Sequence, residues 1–193
     1  MPQYGNFFSA LRYGSFQVSS IISTTGFITA DFDLWPSAAK MIILMLMFIG
    51  SCAGSTAGGM KVVRITLMSK NISREISKTF QPRKVQVVHL DGKGVDNTML
   101  SQISLFVSAY LILTLLGAFV VSLDGKFDMI SNLSASITCV SNVGPGFGAV
   151  GPTQNFAGYS TFSKYIFSLL MLCGRLELFP ILVLFHPDVW RKG

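Results

Sequence analysis

Apolar positions gather into three long stretches, Pro36 to Met68, Thr98 to Leu123 and Thr161 to Phe185. Each comes near the roughly 20 residues that an α-helix needs to cross a bilayer. The middle one has no charged residue between Ser101 and Leu123, so it reads as an uninterrupted span. The first is broken by a run of small residues, and the third contains Arg175 and Glu177. Two shorter stretches, Phe8 to Thr25 and Met129 to Val143, are rich in Ser, Thr, Ile and Val. They are too short or too polar to span, and that length suits a re-entrant half-helix. A glycine follows each of them.

The pattern is duplicated: an apolar and hydroxyl-bearing half-helix, a glycine turn, then a span. The first turn is Ser23-Thr24-Thr25-Gly26-Phe27 and the second is Ser141-Asn142-Val143-Gly144-Pro145-Gly146. Gly26 and Gly144 are 118 positions apart. Irregular backbone at membrane depth is tolerated only where it lines a water-filled path or is buried in protein, so two such turns point to a pore. Glycine suits a strand that aims successive carbonyls at one axis, because that backbone geometry strains residues with a Cβ. A ring of carbonyls replaces the hydration shell of an alkali cation. Thr24, Thr25, Gly26 and Phe27 in one copy, and Asn142, Val143, Gly144 and Pro145 in the other, are therefore the candidate ion-binding positions. Ser23, Thr24, Thr25, Ser141 and Asn142 are candidates to brace the strands or to add oxygen ligands. Basic residues are not concentrated at the turns, so the cargo this reading predicts is a monovalent cation.

Composition agrees with the block pattern. Half of the 193 residues are hydrophobic and 12% are charged, with a mean hydropathy of +0.55. Soluble domains carry about 25% charged residues, and disorder needs low hydrophobicity with high net charge, so both classes are excluded. The formal charge of +6 has a topological use rather than a nucleic-acid one. Eight basic residues lie between Lys61 and Lys93, and Arg191 and Lys192 lie in the tail, against Arg12, Lys40, Lys126 and Lys164 at the opposite ends of the spans. The richer side is cytoplasmic by the positive-inside rule, which places the C-terminus inside. Within the basic loop, Val85 to Leu90 followed by Asp91-Gly92-Lys93-Gly94 reads as a short strand and tight turn. The N-terminal stretch lacks the pattern of a secretory signal. Cys52, Cys139 and Cys173 have no metal or redox spacing and read as small apolar residues. No Ser/His, paired-Asp or His-cluster arrangement appears in the spans, and His89 and His186 fall in cytoplasmic segments, so covalent chemistry is not expected.

Four segments, SIISTTGF (Ser20 to Phe27), GSCAGSTAGGMKVVR (Gly50 to Arg64), SNVGPGFG (Ser141 to Gly148) and the ending VWRKG, resemble the Trk/Ktr/HKT superfamily of potassium transporters, and its bacterial Trk-type membrane subunits above all. The resemblance implies an all-α integral membrane fold in which four helix–pore loop–helix repeats surround one filter. About one and a half of the four are present. Residues 1–70 match a partial third repeat, 71–97 a cytoplasmic basic linker and 98–193 a complete fourth repeat. Two filter strands cannot close a fourfold filter, so the sequence is expected to be a fragment or a truncated product whose missing repeats lie upstream. The resemblance further implies K+ uptake across a bacterial inner membrane, with K+ held at Thr24, Thr25, Asn142 and Val143 and no covalent cofactor. A cytoplasmic nucleotide-binding regulatory ring, a homodimer and membrane lipid are the implied partners, and nucleic acid is not. Sodium or mixed transport on the same fold stays open at this point, as does a non-transporting membrane fragment.

The run Gly50 to Gly59 holds four glycines in ten residues, each costing roughly 1 kcal/mol of helix propensity relative to alanine. A continuous helix is not expected there. Close packing through small residues is one reading; by the resemblance, Gly54, Ser55, Thr56, Ala57, Gly58 and Gly59 form an intramembrane gating loop. A phosphate-binding loop is excluded by Met60 before the lysine, and the G-x-G-x-x-G match at Gly146 to Gly151 by the Pro152 that follows. Arg175 follows Gly144 by 31 residues, the step that leads from Gly26 to Ala57, so pseudo-symmetry places it level with the break. An intramembrane arginine faces a cavity or a partner; a latch on the loop or an ion pair with Glu177 would satisfy it. Lys61 and Arg64 are expected to anchor the cytoplasmic boundary or to meet a regulatory partner. Asp31, Asp33, Asp124 and Asp128 are expected on the outer rim, solvated or attracting cations.

Overall fold

A computed structural model describes residues 5–81 and 87–176. The expectations attached to Arg83, Lys84, Val85, Glu177, His186, Arg191, Lys192 and the end of the third apolar stretch lie outside these residues. The regular structure of the described residues is helical apart from one small hairpin and an isolated bridge between Ile49 and Met60. Helix α1 (Phe7–Ile22) and helix α5 (Met129–Ser141) are the two half-helices. The first long stretch divides into α2 (Ser37–Phe48) and α3 (Val62–Phe80), with the glycine run between them. Helix α4 (Asn97–Ser122) is continuous, and α6 runs over Thr161–Arg175. Helix α3 extends past Met68 into the basic linker, so residues 71–80 of the linker are helical. Strands β1 (His89–Leu90) and β2 (Lys93–Gly94) pair antiparallel across Asp91-Gly92, both of which have positive φ, as a tight two-residue hairpin turn requires.

Length explains which helices cross. At 1.5 Å per residue α4 reaches about 39 Å, more than the roughly 30 Å of hydrocarbon, whereas the 12 residues of α2 reach about 18 Å. Helix α4 is apolar all round. Leu100, Ile103, Phe106, Tyr110 and Val121 are buried against the body, while Leu105, Ile112, Leu115, Leu116 and Phe119 point outward. An outer face of Leu, Ile and Phe is unfavourable in water and favourable in lipid.

Helices α4 and α6 pack against α5 and against each other, and every residue of α5 from Ser134 to Ser141 is buried. Small residues permit this approach. A Cβ on Gly117 of α4 would meet Leu170 of α6 at 2.6 Å, and one on Gly174 of α6 would come within 1.8 Å of the Val140 carbonyl oxygen of α5. Gly174→Ala is therefore expected to push α6 off the half-helix. Overpacking of this kind costs about 1–3 kcal/mol, or roughly 2–10 °C in Tm for a chain of this size, to be read by thermal unfolding in detergent.

The two repeats share a core. Ile21, Phe32, Ile43 and Met47 from the first pack with Ile137, Val143 and Phe147 from the second, and the Phe32 and Phe147 rings meet edge to face at 5.4 Å. Just beyond the C-terminal end of α4, Ser163 donates to the Asp124 carboxylate at 2.6 Å. Hydrogen bonds from Ser160 and Ser163 hold that carboxyl below its ordinary range. Such a carboxyl contributes stability that is fully present above the unfolded carboxylate range and is lost as pH falls from there through the lower folded-state value. Asp124→Asn is thus expected to flatten the acid limb of a Tm-against-pH profile.

Candidate ion-path site

Each half-helix ends in the same turn. After α1, Thr24 and Gly26 have φ of 53° and 73°; after α5, Asn142 and Gly144 have φ of 55° and 113°. The Thr24 and Thr25 amides donate back to the Ile21 and Ser20 carbonyls at 3.0 Å each. In the second turn the Asn142 and Val143 amides donate to Cys139 and Thr138 at 3.2 and 3.0 Å. The donors and acceptors correspond one for one at the 118-residue offset. With the N–H groups turned onto the half-helix, the carbonyls of Thr24, Thr25, Gly26, Asn142, Val143 and Gly144 accept from no backbone N–H among the described residues. The C-terminal ends of α1 and α5, the negative poles of their dipoles, face the turns and favour a cation there.

The turns also lie against each other. A Cβ on Gly26 would sit 2.4 Å from the Val143 carbonyl oxygen and 3.3 Å from Pro145, and the Cβ of a substituted Gly144 would lie 3.9 Å from the Gly26 Cα. Sequence-predicted positions 118 residues apart are thus brought into one place. Phe27, placed by sequence in the first turn, is exposed and gives its carbonyl to the Ser20 hydroxyl at 2.7 Å.

The braces are not all those expected. Ser23 bonds its own helix and Thr25, Thr24 Oγ1 accepts from the Gly58 amide at 3.2 Å, and Ser141 bonds Tyr110 of α4 at 2.6 Å. Asn142 donates to the Met171 carbonyl of α6. The second strand is held instead by Thr138, which accepts from the Gly144 amide at 2.9 Å, and by Ser134, which both accepts from and donates to Phe147. Ser20, Ser134 and Thr138 are not adjacent to the turns in sequence, yet each bonds its own strand, Ser20 and Thr138 from six residues before the glycine and Ser134 from ten. Asp33 is more than a solvated rim residue. Its carboxylate accepts from the Gly148 amide and from Lys40, both at 3.0 Å, and so ties the segment before α2 to the segment after the second turn.

Beneath the turns the glycine run leaves the helix at Phe48 and returns at Val62. Its neck is pinched by Gly50 N–H to the Met60 carbonyl at 2.7 Å and Met60 N–H to the Phe48 carbonyl at 3.0 Å. Gly54 and Gly59 have φ of 81° and 72°, and a Cβ on Gly58 would meet the Ser141 carbonyl oxygen at 2.1 Å. The loop therefore fits directly under the second half-helix. Arg175 lies where pseudo-symmetry placed it, its Nη1 donating to the Thr56 carbonyl. A cavity of about 150 Å³ is lined by Ser55, Thr56, Ala57, Gly59, Lys61, Gly174 and Arg175.

Lys61 departs from expectation. It is buried and turned inward, its ammonium donating to the Ser55 and Ala57 carbonyls at 2.6 Å each, where a boundary anchor would reach outward. Arg64 lies over the Phe106 ring of α4 at 4.0 Å. The three cysteines are free; Cys139 and Cys173 are buried as expected, but Cys52 in the loop is exposed.

Paired half-helices whose glycine turns meet beside a broken helix have the architecture of an all-α membrane transporter fold of the helix–pore loop–helix class. Comparison with known proteins gives the family. Residues 6–192 match the TrkH family of cation transport proteins, and the chain belongs to that family. It is similar to the Trk system potassium uptake protein TrkH of Salmonella typhimurium, with 35% identity over 98% of this chain and 38% of the relative. With its Halomonas elongata counterpart it shares 36% identity over 94% of this chain and 37% of the relative. The crystal structure of the potassium transporter TrkH from Vibrio parahaemolyticus superimposes with a TM-score of 0.88 at 34% identity, covering 97% of this chain and 39% of that one. The chain spans less than two fifths of the length of these relatives.

Proposed function

We propose that this chain supplies two filter turns and the gate of a potassium uptake pathway in the bacterial inner membrane. Potassium sheds water onto carbonyls of Thr24, Thr25 and Gly26 on one strand and Asn142, Val143 and Gly144 on the other, and Phe27 and Pro145 carry the strands away from the axis. The loop Gly54 to Gly59 closes the path below the filter, and Arg175 latches it. Transport needs no covalent chemistry, and K+ is cargo rather than cofactor. Further repeats of the same fold would complete the ring, and a homodimer regulated by a cytoplasmic nucleotide-binding ring is the assembly we infer.

The observation that carries this reading is the match between the two turns: the same backbone hydrogen bonds and left-handed residues at a fixed offset, with Gly26 against the Val143 carbonyl. The naming of the relatives as potassium uptake proteins supports K+ as the cargo. The test is growth of a potassium-uptake-deficient bacterium at low potassium on the complete protein, with tracer uptake in K+ and in Na+. Growth with K+ uptake that equimolar Na+ does not suppress is expected; Na+ uptake of equal rate would replace potassium by mixed transport, and no uptake would overturn the assignment.

A further inference from the structure

Three successive carbonyls of the glycine-rich loop are each taken by a side-chain cation. Arg175 holds Thr56, and the Lys61 ammonium holds Ser55 and Ala57 on either side of it. Lys61 is 7% exposed, and among the described residues no carboxylate pairs with it. A buried ammonium without a counter-ion is costly unless oxygen acceptors replace its water, and here the loop's own backbone does so. We propose that Lys61 is a tethered cation that holds the loop closed by occupying the carbonyls a permeating cation would otherwise meet, making the latch a pair of cations rather than Arg175 alone. The proposal rests on the reading of this loop as the gate.

The two cations approach from different elements. Arg175 ends α6, whereas Lys61 is the residue on which α3 begins, its carbonyl accepting the Arg64 amide at 2.9 Å. Arg175 therefore ties the loop to the second repeat, and Lys61 ties it to the helix that runs into the basic linker. Moving α3 outward withdraws the ammonium from both carbonyls at once, which makes Lys61 a positioning residue for the loop. It does not take part in ion selection at the filter turns.

The test uses the complete transporter in proteoliposomes, with all cysteines except Cys52 replaced. Basal rubidium flux and the rate of thiol modification at Cys52, which is exposed and lies within the loop, are measured together. Lys61→Met keeps the side chain's length and removes its charge. It is expected to raise flux roughly tenfold, equivalent to about 1.4 kcal/mol, and to change the Cys52 rate in the same direction as Arg175→Ala. Lys61→Arg restores most of the closure. If Arg175→Ala opens the path while Lys61→Met leaves flux and Cys52 reactivity at the parental values, the loop is a gate and Lys61 is not part of its latch. If Lys61→Arg opens the path as fully as Lys61→Met, shape rather than charge holds the loop and the proposal fails. Should Arg175→Ala also change nothing, the gate reading falls and takes this inference with it.

Discussion

Arg175→Ala raises basal rubidium flux through the complete transporter roughly tenfold, the lower end expected for losing a hydrogen bond from a charged group. The lower end applies because the guanidinium is exposed, and water screens part of what it contributes. The expectation follows from the geometry of the loop. Its neck is fixed by backbone bonds at Gly50 and Met60, but its crest, Ser55 to Ala57, is held by side chains and by the contact of Gly58 with Thr24. Releasing the Thr56 carbonyl frees the crest without unfolding the neck. Filter selectivity is therefore expected to persist while flux rises. Unchanged flux in a well-folded variant would mean that the loop does not obstruct the path.

Gly26→Ala abolishes potassium uptake, and it does so in two ways that can be separated. At φ of 73° any L residue costs about 1–2 kcal/mol of backbone strain, and the added methyl would lie 2.4 Å from the Val143 carbonyl oxygen, forcing a proposed ion ligand away. Gly144→Ser should also cost uptake, but for a different reason. Its φ of 113° is poorly tolerated by side-chain-bearing residues, while the added Cβ meets nothing closer than 3.9 Å. Gly26→Ala should therefore disturb the neighbouring strand and alter the ratio of rubidium to sodium uptake in any residual activity. Gly144→Ser should lower uptake with less effect on that ratio. Equal uptake by Gly26→Ala and parental protein at matched abundance would contradict the packing of the two turns.

The sequence announced the parts of this architecture that depend on composition and local geometry. Block hydrophobicity located α4 as an uninterrupted apolar helix, hydroxyl-rich half-length segments located α1 and α5, and the glycine density of Gly50 to Gly59 located the break. The duplicated turn even carried long-range information, because equal spacing in two copies put Arg175 level with Ala57, one residue from the Thr56 that it meets. What stayed hidden were contacts fixed by tertiary packing. Asp33 meets the Gly148 amide 115 residues away, a partner no periodicity marks. Lys61 has the spacing of a boundary lysine, and only the fold of the loop reveals that two carbonyls lie within reach of its ammonium. The bracing hydroxyls were legible only in part for a related reason. Ser23 bonds Thr25 in its turn as well as its own helix, but Ser141 bonds Tyr110, while Ser134 and Thr138, farther back on α5, face the strand.

If the two glycine turns bind the same permeating ion, anomalous diffraction from crystals of the complete transporter soaked in rubidium or thallium is expected to show a peak between them, within coordinating reach of the carbonyls of Thr24, Thr25, Asn142 and Val143 and near the loop held by Lys61 and Arg175. Peaks confined to other positions, in protein that still takes up potassium, would contradict it.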